Sequence, residues 1–186
     1  MGKGIQVGNW QLDPYHTQVE FSAKHLGMMT VRGQFTDVTA TADIDAEHPD
    51  SASVEVTIQT ASIRTHNETR DNDLRSSNFL QVDEFPTITF KSTGVEVLGD
   101  DRYKLNGVLT IKGTTHPVSL EVQKYGEFND DAMGHRIAYS ARTRINRRDF
   151  GLTFNMVLDG RLVVSDEIQI EIEGELVEQK EPAATS

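Results

Sequence analysis

Tyr103-Lys104-Leu105-Asn106-Gly107-Val108-Leu109-Thr110-Ile111 sets Tyr103, Leu105, Gly107, Leu109 and Ile111 in one phase against Lys104, Asn106, Val108 and Thr110. A period of two puts successive side chains on opposite faces of an extended chain, so the stretch predicts a strand with one face buried. Turn residues bound it. Gly99-Asp100-Asp101 precedes it, and Gly113-Thr114-Thr115-His116-Pro117 leads into Val118, Leu120 and Val122. Two such runs joined by a short turn make an antiparallel hairpin.

The same period extends in both directions. Upstream, Val54, Val56 and Ile58 oppose Glu55, Thr57 and Gln59. Ile88 and Phe90 share one phase, while Val95 and Val97 share the other, which predicts a bulge at Ser92-Thr93-Gly94. Val19, Phe21, Ala23 and His25 alternate, and Thr30 to Ile44 reads as one long extended run with Val31, Gly33 and Phe35 in phase. Downstream, Ile137, Tyr139, Ala141, Thr143 and Ile145 lie opposite Arg136, Arg142 and Arg144. Leu152 to Val164 is apolar and less regular, and Ile168, Ile170, Ile172 and Leu176 alternate with Gln169, Glu171, Glu173 and Glu175.

The apolar faces of these eight or nine strands must meet, either between two sheets or inside one closed sheet. Closure removes exposed edges and suits one long hairpin-linked series. The expected fold is all-β, a closed antiparallel barrel of about eight strands. Ala23, Gly33, Gly107, Ala141 and Gly174 fall on apolar faces, where they would either leave a cavity or permit sharp bends.

Thr65-His66-Asn67-Glu68-Thr69-Arg70-Asp71-Asn72-Asp73-Leu74-Arg75-Ser76-Ser77-Asn78-Phe79 breaks the period. Thr65 followed by Glu68 matches a capping box and predicts one short internal helix at about 65–78. Leu74 and Phe79 are its apolar anchors, and Arg70 and Asp71 read as an ion pair fastening it to the strands. Arg147 and Asp149 read as a second such pair.

The 186 residues suit one domain. Residues 1–9 read as a loose leader, 10–177 as the barrel domain and 178–186 as a disordered tail. Lys and Arg number 18 against 29 Asp and Glu, a formal charge of −11. That balance opposes nucleic acid or an anionic membrane as partner. Cysteine is absent, which excludes disulfides, thiolate metal sites and a Cys nucleophile. Residues 1–9 contain no apolar segment of a secretory signal, and no run approaches membrane-span length. A cytoplasmic location is expected, or a periplasmic or secreted one if a signal was removed.

Six histidines occur, none in H-x-H or i,i+4 pairs, so no metal site is expected. The chain holds no G-x-S-x-G elbow, Walker loop or dinucleotide fingerprint, and no catalytic residue is assigned. His25 is in phase with Val19, Phe21 and Ala23 and should face inward, as a polar fixture or a satisfied core residue. Arg64, His66, Arg70 and Arg75 flank the helix, and Arg144, Arg147 and Arg148 end a strand. Meeting at one mouth, the two groups could hold an anionic head group.

The chain also resembles a known family. Trp10-x-Leu12-Asp13-Pro14-x-His16, Phe21-x-x-Lys24-His25 and Val31-x-Gly33-x-Phe35 are similar to the opening of the YceI-like proteins. Thr65-x-Asn67-x-x-Arg70-Asp71-x-x-Leu74, Phe79 and Phe85-Pro86-x-Ile88-x-Phe90 continue the likeness. Gly107-x-Leu109-Thr110-Ile111-Lys112-Gly113 and Asn146-Arg147-x-Asp149-Phe150-Gly151 complete it, over residues 10 to 176. The resemblance implies a lipocalin-like barrel with a helix near one end. It also implies a long isoprenoid lipid inside the barrel, polyprenyl or isoprenoid-quinone-like.

The expected function is therefore non-enzymatic binding or carriage of such a lipid in the lumen. The expected wall is Phe21, Phe35, Val56, Ile58, Ile88, Phe90, Leu109, Leu120, Tyr139 and Ile170. His25, Arg64, His66 and Arg75 are the candidate head-group contacts. No cofactor is expected besides the lipid. The alternatives are an enzyme acting on a bound lipid and a partner-binding barrel with a filled core. A homodimer through a strand edge or the helix face is compatible with the sequence.

Overall fold

The computed structural model describes residues 8–180, and the termini beyond them carry most of the expected leader and tail. Twelve strands run in chain order: β1 (Gly8–His25), β2 (Met29–Phe35), β3 (Val38–Ile44), β4 (Ser53–Gln59), β5 (Ile63–Arg64), β6 (Thr87–Gly99), β7 (Arg102–Ile111), β8 (Thr114–Asp130), β9 (Gly134–Asn146), β10 (Val157–Leu158), β11 (Arg161–Leu162) and β12 (Glu167–Glu178). One α-helix, α1 (Glu68–Arg75), lies between β5 and β6. Eight strands close on themselves in the order β1-β3-β4-β6-β7-β8-β9-β12, because β12 pairs back onto β1. All these pairings are antiparallel. The all-β closed barrel expected from the alternation is the observed fold. Gly8 and Asn9 pair with Ile44 and Asp43, and Glu178 pairs with Trp10, so the strands begin and end slightly beyond the expected domain limits.

The barrel has two different ends. Short turns between β3 and β4, β6 and β7, and β8 and β9 make the hairpin end. Residues 60–86 and 147–166 make the connector end. Tight turns follow local chemistry. Asp100-Asp101 and Lys112-Gly113 each place two consecutive residues at positive φ, the geometry whose twist matches a two-residue hairpin. The predicted bulge occurs: the β6–β7 register shifts between Ser92 and Gly94.

The run Thr30–Ile44 is two strands, not one. The N–H of Thr36 donates to Ser62 Oγ at 3.2 Å, and its hydroxyl donates to the Ser62 carbonyl at 3.3 Å. The carbonyl of Asp37 accepts from the Gln59 N–H. The backbone at the corner is thus bonded to the end of β4 and to Ser62 beyond it instead of to β1. β1 accordingly pairs with β3 through Gly8–Gln11 and with β2 through Val19–His25.

The N-cap lies two residues later than the capping box predicts, and the helix ends at Arg75. Asn67 is the N-cap, accepting from the Arg70 N–H at 3.0 Å. Thr65 is buried and has another partner. Its N–H and hydroxyl both donate to Asp71 Oδ1, at 2.8 and 2.5 Å. Arg70 donates to the Thr65 hydroxyl and carbonyl, each at 2.7 Å. Arg70 and Asp71 fasten the helix as expected, but through Thr65 and not as a direct pair. Leu74 packs on the core cluster, and Phe79 is buried edge-on to Phe154 at 5.5 Å.

The inward glycines neither bend corners nor leave holes. A β-carbon on Gly33 would lie within 2.8 Å of the Phe21 ring and of Thr65 Cγ2. One on Gly107 would strike the Phe90 ring and come within 2.6 Å of the Lys91 carbonyl. Gly33 and Gly107 are each the seat of a phenylalanine ring, while Gly174 lies against Thr17 and Leu12.

Candidate functional site

The inward faces follow from cross-strand register. Phe21 lies opposite Gly33 and Ile170, Val56 opposite Phe90 and Ala40, and Ile58 opposite Ile88. Leu105 lies opposite Leu120, and Val122 opposite Tyr103 and Ala141. Nine of the ten expected wall residues belong to the larger core cluster or pack against it. Tyr139 packs instead on a second cluster at the hairpin end, built from Trp10, Ala42 and Ile137. The ten divide by exposure. Ile88, Phe90, Leu109 and Leu120 are 6–8% exposed and already covered by the chain itself. Phe21, Phe35, Val56, Ile58, Tyr139 and Ile170 are only half-buried, although they face the inside of a closed sheet. Leu105, Val118, Val122, Ala141 and Ile172, which were not assigned to the wall from sequence, are half-buried on the same face. Their alternation marked them as inward, but period alone does not separate a covered position from an uncovered one. A hollow of about 220 Å³ lies where β1 leaves β3 for β2, lined by Pro14, Thr17, Val19, Phe35, Thr36 and Val38.

The candidate head-group residues fall elsewhere than expected. His25 keeps its phase but sits at the end of β1, where it is exposed and bridged by its backbone to Val164. It is a rim residue and not an interior one. Arg64 and Arg75 do converge, on backbone: both donate to the carbonyls of Ala61 and Ile63. His66 is exposed with φ at 60°. Arg147 is 2% exposed and donates to the carbonyls of Ser165, Leu152 and Phe154 at 2.9, 2.5 and 2.9 Å. Its ion partner is Asp166, at 3.5 Å, instead of Asp149; Asp166 also accepts from Arg148 at 2.8 Å. These guanidiniums hold the connectors together.

The hairpin end carries two charge networks that the sequence did not reveal. Asp13 is buried; it accepts from Arg136 at 2.6 Å and lies 2.9 Å from His16 Nδ1. Arg136 also reaches Glu175 at 2.9 Å. Burial opposes ionisation of Asp13, but hydrogen bonds from His16, Arg136 and the Tyr15 N–H outweigh it and hold the carboxyl at about 2. Asp13, His16 and Glu175 bring ligand-type atoms within 4.8 Å of one another. With Arg136 bonded to both carboxylates, the group is an ion-pair network. The second network centres on His135, whose ring nitrogens face Glu178 at 2.7 Å and Glu127 at 2.5 Å. Burial works against the charged ring, yet the two carboxylates raise its pKa. Chain separations of 43 and 123 residues for His135–Glu178 and Asp13–Arg136 hide these contacts from any local motif.

An eight-stranded antiparallel barrel with a half-covered apolar interior and one helix at its connector end is a lipocalin-like barrel. The chain belongs to the YceI-like family, whose domain matches residues 10–176. Protein YceI of Salmonella arizonae is 37% identical over 165 residues, 89% of this chain and 83% of that protein. The crystal structure of the Campylobacter jejuni YceI protein superposes with a TM-score of 0.73 at 31% identity, over 85% of this chain and 90% of that one. A polyisoprenoid binding domain from Saccharophagus degradans, implicated in plant cell wall breakdown, shares the fold at a TM-score of 0.68 and 14% identity. That match covers 91% of this chain and 98% of that domain.

Proposed function

We propose that this protein binds a long isoprenoid lipid in the barrel lumen and holds it without transforming it. One observation carries the reading. Phe21, Phe35, Val56, Ile58, Leu105, Val118, Val122, Ile170 and Ile172 face the inside of a closed sheet, yet the chain leaves them only partly buried. Apolar surface in that position gains by covering from a ligand. Each buried CH2 contributes about 0.8 kcal/mol, so ten carbons would supply roughly 8 kcal/mol before ordering costs. Membership in the YceI-like family, and the shared fold of a polyisoprenoid binding domain, support the lipid class.

The test is uptake. Protein purified without detergent and offered a polyprenyl lipid should appear in native mass spectrometry at the mass of a one-to-one complex. Ala141 is small, inward and half-buried, so Ala141→Trp should fill the lumen and abolish uptake with circular dichroism unchanged. A parent chain that stays at bare mass with every prenyl lipid offered would overturn the proposal.

A further inference from the structure

Two tips at the connector end carry apolar side chains that the core does not use. One is the β1–β2 turn, Leu26-Gly27-Met28-Met29, and the other is the β10–β11 hairpin, Met156 to Leu162. Both turns are tight, with Leu26-Gly27 and Asp159-Gly160 at positive φ. The tips are bonded to each other. The Leu26 N–H donates to the Val163 carbonyl at 3.2 Å, and the Ser165 N–H donates to the Lys24 carbonyl at 3.0 Å. Arg161 donates to the Leu26 carbonyl at 3.4 Å. They form one surface, on which Met28, Met29, Met156, Val157, Leu158 and Leu162 are 41–66% exposed. A cluster of large apolar side chains left to water marks a contact surface.

Charge decides what it contacts. Lys24, Arg32 and Arg161 flank the tips, and among the described residues none of the three is in an ion pair. The hairpin turn itself holds one carboxylate, Asp159. Cross-strand register orders the wall below. Lys24 and Thr30 form the row under the tips, and Glu167 nearby is engaged by Arg144 at 3.9 Å. Ser22, Arg32 and Gln169 form the next row, and Glu20 and Glu171 the row after that. Those two carboxylates lie about 13 Å below Lys24 by strand rise. The order from tip to wall is apolar, cationic, then acidic. The hairpin end lacks that order. Val97, Leu98, Phe128 and Met133 are 50–54% exposed there, but Asp100, Asp101, Asp130 and Asp131 share their turns.

Apolar tips backed by unpaired cations fit a bilayer, which offers phosphates to the cations and an apolar layer to the side chains. The formal charge of −11 is a weak obstacle to that approach. The carboxylates of the hairpin end lie about 25 Å away along tilted strands, beyond the screening length of about 8 Å at physiological salt. A second copy docked face to face would instead bring like cations together, with only Asp159 to offset them.

We propose that the β1–β2 turn and the β10–β11 hairpin form a membrane-docking surface. Its apolar side chains enter the head-group layer of a bilayer, and Lys24, Arg32 and Arg161 meet the lipid phosphates. The protein then stands on its connector end with its acidic end in water. The surface does not depend on what the lumen holds.

The test uses the full chain and sucrose-loaded vesicles, one set of pure phosphatidylcholine and one with a minority of phosphatidylglycerol. The parent should sediment with the mixed vesicles and more weakly with the pure ones. Val157→Asp combined with Leu158→Asp should lower partition to the mixed vesicles about tenfold or more. Lys24→Gln combined with Arg161→Gln should lower it about tenfold. Leu98→Asp, at the hairpin end, should leave it unchanged. These positions are all exposed, so circular dichroism of each variant should match the parent. The chain has no cysteine, so Met28→Cys carrying an environment-sensitive dye should shift to the blue on mixed vesicles, and Phe128→Cys with the same dye should not. A parent that stays in the supernatant, or a loss in Leu98→Asp as large as in the Val157–Leu158 variant, overturns the proposal. Equal partition to both vesicle types overturns the role of the cations. A parent that is dimeric without lipid, and becomes monomeric in the Val157–Leu158 variant, gives the surface to a second copy and overturns the bilayer as its partner.

Discussion

Arg136, near the start of β9, and Arg147, just past its end, do opposite things. Arg147, at the connector end, gives its hydrogen bonds to the carbonyl oxygens of Leu152, Phe154 and Ser165. Arg136, at the hairpin end, gives its bonds to the carboxylates of Asp13 and Glu175. Carbonyls do not titrate, so the hydrogen bonds Arg147 makes to them are indifferent to pH. The hairpin end is held by carboxylates and His135, which do titrate. The difference follows from what each end must fasten. Irregular connectors expose backbone groups that need donors when buried. Regular hairpins have satisfied backbones, and their ends are joined through side chains.

The comparison breaks most visibly at Arg147. Arg147→Met leaves three connector carbonyls, that of Leu152 buried, without their donor and Asp166 without its neighbour. It should cost about 3–5 kcal/mol, read as a lower urea midpoint with little change from pH 5 to 8. Asp71→Ala removes the acceptor of the Thr65 N–H and hydroxyl. It should cost about 2–3 kcal/mol, with amide exchange faster in Thr65–Arg75 than in β7–β9. At the other end, Asp13→Asn should cost about 1–2 kcal/mol and should remove a pH dependence. The carboxyl is depressed from 3.8 to about 2. Its contribution is complete above 3.8 and is lost as pH falls through 2, so acid titration of the parent should show a slope that the variant lacks. The smallest effect belongs to His135, whose pKa is raised. Its contribution is complete below 6.5 and disappears as pH rises through the higher folded value. Amide exchange at the β8–β9 turn should therefore quicken on going from pH 6 to 8 after correction for intrinsic rates. His135→Gln should remove that dependence, and a parent insensitive to pH there would erase the contrast between the ends.

Much of the barrel was legible because a half-buried strand writes its environment into every second residue. Tyr103–Ile111, Val54–Ile58 and Ile137–Ile145 each announce an inward face, and the bulge at Ser92–Gly94 announces itself by a change of phase. The helix was legible as an interruption, and its start was displaced. Thr65 has the right spacing for a cap, but Asp71 folds back onto it and Asn67 takes the role. The lumen was legible as a set of inward residues. Which of them the chain covers was not, because Phe21 and Phe90 spend their rings over Gly33 and Gly107. His25 shows the same limit: phase points it inward, but its place at the end of β1 leaves it at the rim.

By itself the sequence determined an all-β chain of alternating strands, the turns between them and the one helical interruption, since propensity and period are local properties. Closure required the pairing of Trp10 with Glu178 and of Ile170 with Phe21, contacts far apart in the chain. The partners of Arg147 and the meeting of Asp13 with Arg136 were likewise decided only in three dimensions. Such contacts arise where distant strands meet, and no spacing along the chain encodes which strand lies beside which.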